Sequence, residues 1–292
     1  MAQDTSINEP VCLITGATSG LGRAAALKLA AAGADLVIVG RDRRRGEQVV
    51  AEIKAANPRA NHTLLLCDLS SQAQVRRLAA TVLARRERLD VLVNNAALDL
   101  GNRQLTEDGI ELTFAVNHLA PFLLTALAIP ALNRSRAGRV INVSSGAHHQ
   151  GKLDFEDLQG ERRFHGQRAY NQSKLAGVLF TLELARRAGG TNLTVNCADP
   201  GWVKGTNLGR NASLGLKAMA IAMWPAMVTP AQGADTIVWA ATAPELAGQS
   251  GLYFKRRKAI QPSDRARDPA LARRLWEVSE SLCKVTFNPR DS

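Results

Sequence analysis

Short uninterrupted apolar runs recur along the chain: Val11-Cys12-Leu13-Ile14, Leu36-Val37-Ile38-Val39, Thr63–Cys67, Val91-Leu92-Val93, Arg139–Val143, Leu193–Cys197 and Leu252-Tyr253-Phe254. Runs of this kind read as strands covered on both faces. The stretches between them repeat apolar positions at helical spacing. They predict helices over Arg23–Ala32, about Arg43–Ala56, Thr106–Leu132 with a kink at Pro121, Gln167–Arg187, and a surface C-terminal helix over Pro269–Val285. Gly205–Val228 adds a Met- and Trp-rich amphipathic segment. Strands alternating with helices every roughly 20–30 residues indicate an α/β chain, a doubly wound parallel sheet with helices on both faces. No linker, internal repeat or low-complexity tract interrupts it, so residues 1–292 are expected to form one domain.

The first strand leads into Thr15-Gly16-Ala17-Thr18-Ser19-Gly20-Leu21-Gly22 and then a helix. Strand, glycine-rich turn and helix in that order is the context a dinucleotide fingerprint requires, and it makes the fold Rossmann-type. Gly16 permits the tight turn, Gly20 lets backbone approach a pyrophosphate, and Gly22 lets the helix pack close to the strand. The helix N-terminus then faces the phosphates with its free N–H groups. A purely structural loop is the competing reading.

An acid at the tip of the second strand would accept hydrogen bonds from the adenosine ribose and indicate NAD(H). Here the tip is Gly40 and Arg41 follows. A guanidinium suits a 2′-phosphate, so NADP(H) is favoured. Asp42 stands close by on the NAD(H) side, and the arginine run through Arg45 also suits a helix start. The third strand ends in Asp68-Leu69-Ser70. Asp68 either accepts from an adenine amino group or serves as a capping residue, and Ser70 or Ser71 caps the next helix. Asn94-Asn95-Ala96-Ala97 closes the fourth strand with small residues and amides, which suit a tight backbone path beside a cofactor.

Within Gln167–Arg187, which contains no proline, Tyr170 and Lys174 are four residues apart and share a helix face. A phenol with an ordinary pKa near ~10 is a poor acid–base catalyst at neutral pH. A neighbouring ammonium favours the phenolate and is expected to lower that pKa. An amphipathic helix with an exposed Lys and a half-buried Tyr is the plainer alternative. Asn117, in an apolar helix, must find partners, either at a site or by stitching helices together.

A hydrophobic content of 46% in 292 residues supports a sizeable core. The net charge of +11 comes from clusters at Arg41–Arg45, Arg85–Arg88, Arg162–Arg168, Lys255–Lys258 and Arg265–Arg274, most of which read as solvated faces. Only two Tyr and no aromatic-interleaved basic motif speak against a dedicated nucleic-acid site. No run reaches the ~18 uninterrupted apolar residues of a membrane span. The opening MAQDTSINEP lacks the regions of a signal peptide. Cys12, Cys67, Cys197 and Cys283 show neither metal nor redox spacing and read as buried free thiols of a cytoplasmic protein. No metal site is expected.

Taken in order, the glycine turn, Asn94-Asn95-Ala96, Asn117, Ser145, Tyr170 with Lys174, and Pro200-Gly201 resemble the short-chain dehydrogenase/reductase family over nearly the whole chain. Val116–Thr125, Asn142–His148, Thr229–Ala234 and Arg273-Arg274-Leu275-Trp276 resemble its retinol dehydrogenase and WW-domain oxidoreductase branch, as does the 25-residue interval from Ser145 to Tyr170. The resemblance implies that Tyr170 handles the proton and that Lys174 lowers its pKa and holds the nicotinamide ribose. It implies that Ser145, rather than Ser144, orients the substrate oxygen, and that Asn117 anchors a water relay. Cofactor contacts carried over by the resemblance fall on Gly16, Thr18, Ser19, Gly20, Leu21, Gly22, Arg41, Asp68, Leu69, Asn95, Tyr170, Lys174, Pro200, Gly201, Val203 and Thr206. Departures are Ala97 in place of a final glycine, and Gly205 where a Thr or Ser is frequent, with Thr206 one later. No N-terminal membrane helix like that of many retinol dehydrogenases is expected from this sequence.

The expected function is NADP(H)-dependent interconversion of a lipophilic alcohol with its aldehyde or ketone, the substrate being a small apolar carbonyl or alcohol. Leu214–Val228 within residues 205–228 reads as an apolar substrate lid, or alternatively as a homo-oligomer contact or membrane-surface helix. A catalytically silent nucleotide-sensing protein is the competing function; Ser145, Tyr170 and Lys174 together argue against it, because a sensor needs none of them.

Overall fold

The computed structural model describes residues 9–204 and 227–291. Its centre is an eight-stranded sheet in the order β3-β2-β1-β4-β5-β6-β7-β8. The strands are β1 (Val11–Thr15), β2 (Asp35–Gly40), β3 (Thr63–Leu66), β4 (Val91–Asn94), β5 (Arg139–Val143), β6 (Thr194–Asp199), β7 (Tyr253–Lys255) and β8 (Lys258–Ile260). Strands β1 to β7 pair in parallel. The expected doubly wound parallel sheet is extended at its edge by β8, a strand the sequence did not announce, which pairs antiparallel with β7. Its hairpin turns through Arg256 and Arg257, both left-handed at φ 51° and 58°, with no glycine or asparagine to announce the turn.

The chain builds outward from β1 to β3 and then returns to place β4 on the other side of β1. That reversal is the switch point beside which open α/β sheets bind ligands. Helices α1 (Gly20–Ala31), α2 (Arg43–Ala56) and α7 (Pro230–Thr242) cover one face over Ile14, Ile38, Val93 and Ile141. Helices α3 (Gln72–Arg85), α5 (Ala120–Asn133), α6 (Gly166–Arg187) and α8 (Pro269–Cys283) cover the other, over Leu13, Leu92, Val140 and Val195.

Two helices depart from expectation. The helix expected from Thr106 begins only at Leu112, as the short α4 (Leu112–Phe114), because the Glu111 carboxylate caps it by accepting from the Thr113 and Phe114 N–H groups at 2.8 Å. A wide π turn at Ala115–Leu119 then joins α4 to α5. Proline at 121 has no N–H for the Asn117 carbonyl, which accounts for a break just before it rather than a simple kink. By length and composition Leu112–Asn133 resembles a membrane span, but 78% of its apolar window is buried in the fold.

The C-terminal helix is not merely a surface element. Its Leu275, Trp276 and Cys283 are buried, and the Trp276 ring packs against Phe122 and Phe287 at centroid distances of 5.1 and 4.7 Å. Only its polar side, with Arg273 and Arg274, faces solvent. All four cysteines are buried free thiols.

Candidate active site

The glycine turn after β1 has the backbone its sequence requires. Gly16 is left-handed at φ +66°, and a Cβ there would meet the Ala96 Cα at 2.9 Å. A Cβ on Gly22 would stand 2.2 Å from the Gly16 carbonyl oxygen, so α1 can start this close to β1 only with glycine. Gly20 is also left-handed, at φ +51°, but faces open space. Across the switch point, Asn95 Nδ2 donates to the Thr15 carbonyl at 2.8 Å and more weakly to that of Gly16, while Thr15 Oγ1 accepts from the Asn95 and Ala96 N–H groups. Asn95 therefore shapes the turn.

Helix α1 opens without a side-chain cap: Ser19 is extended, caps nothing, and no acid occupies the first turn. Helices α2, α3, α7 and α8 are capped by Asp42, Ser71, Thr229 and Asp268 respectively. Ser19 and Gly20 are exposed, so the α1 N–H groups and positive dipole end are open to solvent. Thr18 and Leu21 flank them, and the Thr18 methyl packs where a Cβ on Gly40 would be.

Arg41 is exposed just past β2. Asp42 is engaged locally, accepting from the Arg45 N–H at 3.0 Å and pairing with its guanidinium at 3.3 Å. Asp68 is likewise in a local turn, its Oδ1 accepting from both the N–H and the hydroxyl of Ser70. The capping alternative thus accounts for that oxygen. Leu69 follows, half-buried.

Catalytic candidates converge at the carboxyl ends of β4, β5 and β6. Ser145 caps a 3₁₀ turn (Gly146–Gln150) by accepting from the Ala147 N–H, and its hydroxyl stands beside the Tyr170 phenol, whereas the Ser144 hydroxyl is buried without a protein partner. Lys174 is 6% exposed; its Nζ donates to the Val143 carbonyl at 3.2 Å and lies 5.6 Å from the centroid of the Tyr170 ring. Burial lowers the Lys174 pKa to about 8, with Asp199 opposing the shift. Burial also pushes the Tyr170 hydroxyl well above its ordinary range; the neighbouring Ser145 hydroxyl opposes this, while Asp99 and Asp199 reinforce it. The expectation that Lys174 acidifies Tyr170 is corrected for the protein groups acting alone. Desolvation of the phenolate is the dominant cause.

The Asn117 side chain is committed to its surroundings. Its Oδ1 accepts from the Leu98 N–H, and its Nδ2 donates to the Leu98 carbonyl and to Ser173 Oγ. Behind Lys174 lies a cavity of about 20 Å³ lined by Asn94, Asn117, His118, Ser173 and Lys174 among others. That exceeds the ~10–15 Å³ one ordered water needs. Asn94 Oδ1 and His118 Nδ1, on two of these residues, are buried without a protein partner.

After β6, Gly201 turns at φ +79° and its N–H donates to Asp199 Oδ1 at 2.8 Å. Val203 then bridges to Val228 through the Trp202 carbonyl and Lys204 N–H, so its own N–H and carbonyl are not used in that pairing. Thr206 and most of the expected lid, residues 205–226, lie outside the described residues. Among the described residues no cluster suits a metal ion. Sequence reasoning gave no role to Asp99, His148, Asp199 or Tyr253, all of which stand near the site. An acid directly before Pro200-Gly201, and one of only two tyrosines, were the available signals.

Known proteins share this arrangement. The short chain dehydrogenase family model matches residues 10–216. Mouse retinol dehydrogenase 14 is 41% identical over 286 residues, covering 94% of this chain and 85% of the relative. Mouse polyprenol dehydrogenase is 43% identical over 273 residues, covering 91% and 81%. A short-chain dehydrogenase from Escherichia coli CFT073, solved in complex with NADPH, superimposes with a TM-score of 0.68 at 26% identity, over 86% of this chain and 98% of that one. With its glycine turn, serine loop and Tyr170–Lys174 helix set at one end of a parallel sheet, the chain belongs to the short-chain dehydrogenase/reductase family, in its retinol dehydrogenase-like branch, and is an oxidoreductase acting on CH–OH groups.

Proposed function

We propose that this protein uses NADP(H) to interconvert a lipophilic alcohol and its aldehyde or ketone. The observation that carries the reading is the Lys174 ammonium over the Tyr170 ring, 5.6 Å from its centroid, with the Ser145 hydroxyl beside the phenol, at the carboxyl end of the sheet that also carries the glycine turn. The residues fit a nicotinamide dinucleotide. The uncapped α1 terminus suits a pyrophosphate, and Arg41 suits a 2′-phosphate, since Asp42 is already spent as a cap. When bound, the nicotinamide gives or takes the hydride at a carbon bearing oxygen.

The chain supplies the rest. Tyr170 Oη gives its proton to the carbonyl oxygen in reduction, or takes it back in oxidation. Ser145 Oγ donates to the same oxygen as charge develops there. Lys174 Nζ holds the ribose and, through the cavity beside Asn117, connects the site to an inner water position. Val203 offers backbone groups to the nicotinamide amide. The lipophilic substrate class is supported by the alcohols named for the two mammalian relatives. One catalytic domain is supported by the single sheet, and a cytoplasmic setting by four free thiols.

The test is a panel of apolar aldehydes, ketones and secondary alcohols, followed by nicotinamide absorbance. Tyr170→Phe is expected to abolish turnover while NADPH binding is kept. Wild-type turnover in that variant removes Tyr170 from the mechanism.

A further inference from the structure

Two loops must be held in register for this chemistry: the Ser145 loop after β5, which meets the substrate oxygen, and the Gly201 turn after β6, which faces the nicotinamide. Close to their roots, one backbone hydrogen bond joins them, from the Ser144 N–H to the Ala198 carbonyl at 2.9 Å. A second, side-chain connection runs around the site.

It starts at the Ser145 carbonyl, which accepts from His148 Nδ1 at 2.8 Å. His148 Nε2 accepts the Ser263 N–H at 3.1 Å, so that nitrogen carries no proton and the imidazole proton is on Nδ1. Burial favours the same neutral form. The Tyr253 ring packs on this imidazole at a centroid distance of 4.9 Å. Its hydroxyl lies 3.4 Å from Nδ1, but both are donors with better acceptors, so that approach is packing rather than a bond. The Tyr253 proton goes to Asp199 Oδ2 at 2.8 Å, and Asp199 Oδ1 accepts from the Gly201 N–H at 2.8 Å. Asp199 is 2% exposed, with Lys255 Nζ 3.6 Å from Oδ2. A carboxylate this buried is retained at a cost unless its oxygens are satisfied, and here both are.

We propose that Asp199 is a positioning residue of the reaction: through Tyr253 and His148 it locks the Ser145 loop to the Gly201 turn, and so sets where the substrate oxygen sits relative to the nicotinamide. The proposal rests on the oxidoreductase reading for its consequence, but the lock itself is a property of the fold.

Tyr253→Phe is the mildest probe, because the ring stays on His148 and only the hydroxyl is lost. Its kcat is expected to fall about tenfold, with carbonyl KM and NADPH Kd changed by less than about threefold, since loss of alignment costs rate more than binding. Asp199→Asn keeps an oxygen for the Gly201 N–H and an amide facing the Tyr253 oxygen, so it is expected to retain more kcat than Asp199→Ala. Equal losses in those two variants, or a Tyr253→Phe kcat within about twofold of wild type, would overturn the positioning role. Hydrogen exchange of the full-length protein reads the lock without turnover. In Tyr253→Phe, amides of both Ser144–Gly151 and 201–204 should exchange faster; unchanged exchange at both ends sinks the proposal. A wild-type protein that turns over no carbonyl defeats the oxidoreductase reading instead, and leaves the exchange measurement to decide the lock.

Discussion

The ammonium of Lys174 lies 5.6 Å from the centroid of the Tyr170 ring and donates to the Val143 carbonyl, so its charge is presented to the π face of the phenol while it stays tethered to β5. Lys174 is buried and Tyr170 half-buried, and desolvation moves their pKa values in opposite directions. The lysine is pushed toward its neutral form and the tyrosine also toward its neutral form, away from the ion pair that a helix-face argument suggests. At neutral pH the protein on its own thus keeps the Tyr170 proton in place, ready to be given to a carbonyl oxygen.

That arrangement makes the direction of catalysis pH-dependent. Carbonyl reduction needs the protonated phenol and is expected to be flat through neutral pH. Alcohol oxidation needs the phenolate and is expected to rise with pH. The Tyr253→Phe variant leaves Tyr170 as the remaining tyrosine, so tyrosinate absorbance then reports this one group. Its midpoint should lie above the ordinary phenol value of about 10, and should fall when NADP⁺ is added, because a cation beside the phenolate favours it. A midpoint below 10 without any nucleotide would contradict the burial argument.

Lys174 leaves a signature in stability. Its folded pKa of about 8 lies below the 10.5 of the unfolded chain. Below pH 8 both states hold the proton and the native state bears the full cost of a buried ammonium. Between pH 8 and 10.5 the unfolded state holds this proton when the native state does not, so the Lys174 contribution to stability rises with pH, by up to about 3 kcal/mol in total. The four buried thiols from about pH 9, and the two tyrosines from about pH 10, are raised and act in the opposite sense. The signature is therefore a difference: Lys174→Met should be more stable than wild type at pH 7, should lose that advantage progressively between pH 8 and 10.5, and should lose activity. Urea denaturation of the two proteins across this range checks it; a stability difference that stays constant with pH assigns no such cost to Lys174.

Much of this site was legible because its signals are local. The glycine turn is eight consecutive residues, and the Tyr170–Lys174 spacing is one helical turn, so pattern and geometry coincide. What could not be read depends on contacts distant in sequence. Tyr253 meets Asp199 from 54 residues away and His148 from 105. The inner face of α8 is defined by Phe122 and Phe180, so an amphipathic pattern alone could not tell core from surface. Strand β8 was missed because two arginines occupy a turn that normally requires residues tolerant of positive φ. Asp42 and Asp68 looked able to contact a nucleotide, yet local N–H groups claim an oxygen of each, which is the usual fate of an acid before a helix.

The glycine turn can be tested without any substrate. A methyl group at position 22 would collide with the Gly16 carbonyl oxygen, a backbone atom that cannot swing aside. Gly22→Ala is expected to destabilise the fold by about 1–3 kcal/mol, as overpacking does, and to weaken NADPH binding strongly. Gly20→Ala meets no neighbour, so its cost should be the left-handed backbone alone, about 1 kcal/mol. Thermal denaturation of the two variants separates contact from conformation; equal losses would show that the close approach at Gly22 is not what matters.

The proposed preference for NADPH rests on one exposed cation. Arg41 follows the end of β2, where no acid stands to accept from a ribose, and Asp42 is held by the N–H and guanidinium of Arg45. Its guanidinium can form a charge-assisted fork with a 2′-phosphate but gains little from a ribose hydroxyl. Arg41→Ala should therefore weaken NADPH by about tenfold or more, the scale of a hydrogen bond to a charged group, and leave NADH within about twofold. Raising the salt concentration should narrow the wild-type preference, since an exposed ion pair is screened. Comparable losses for the two nucleotides would place the 2′-phosphate contact elsewhere and return Asp42 to consideration as a ribose acceptor.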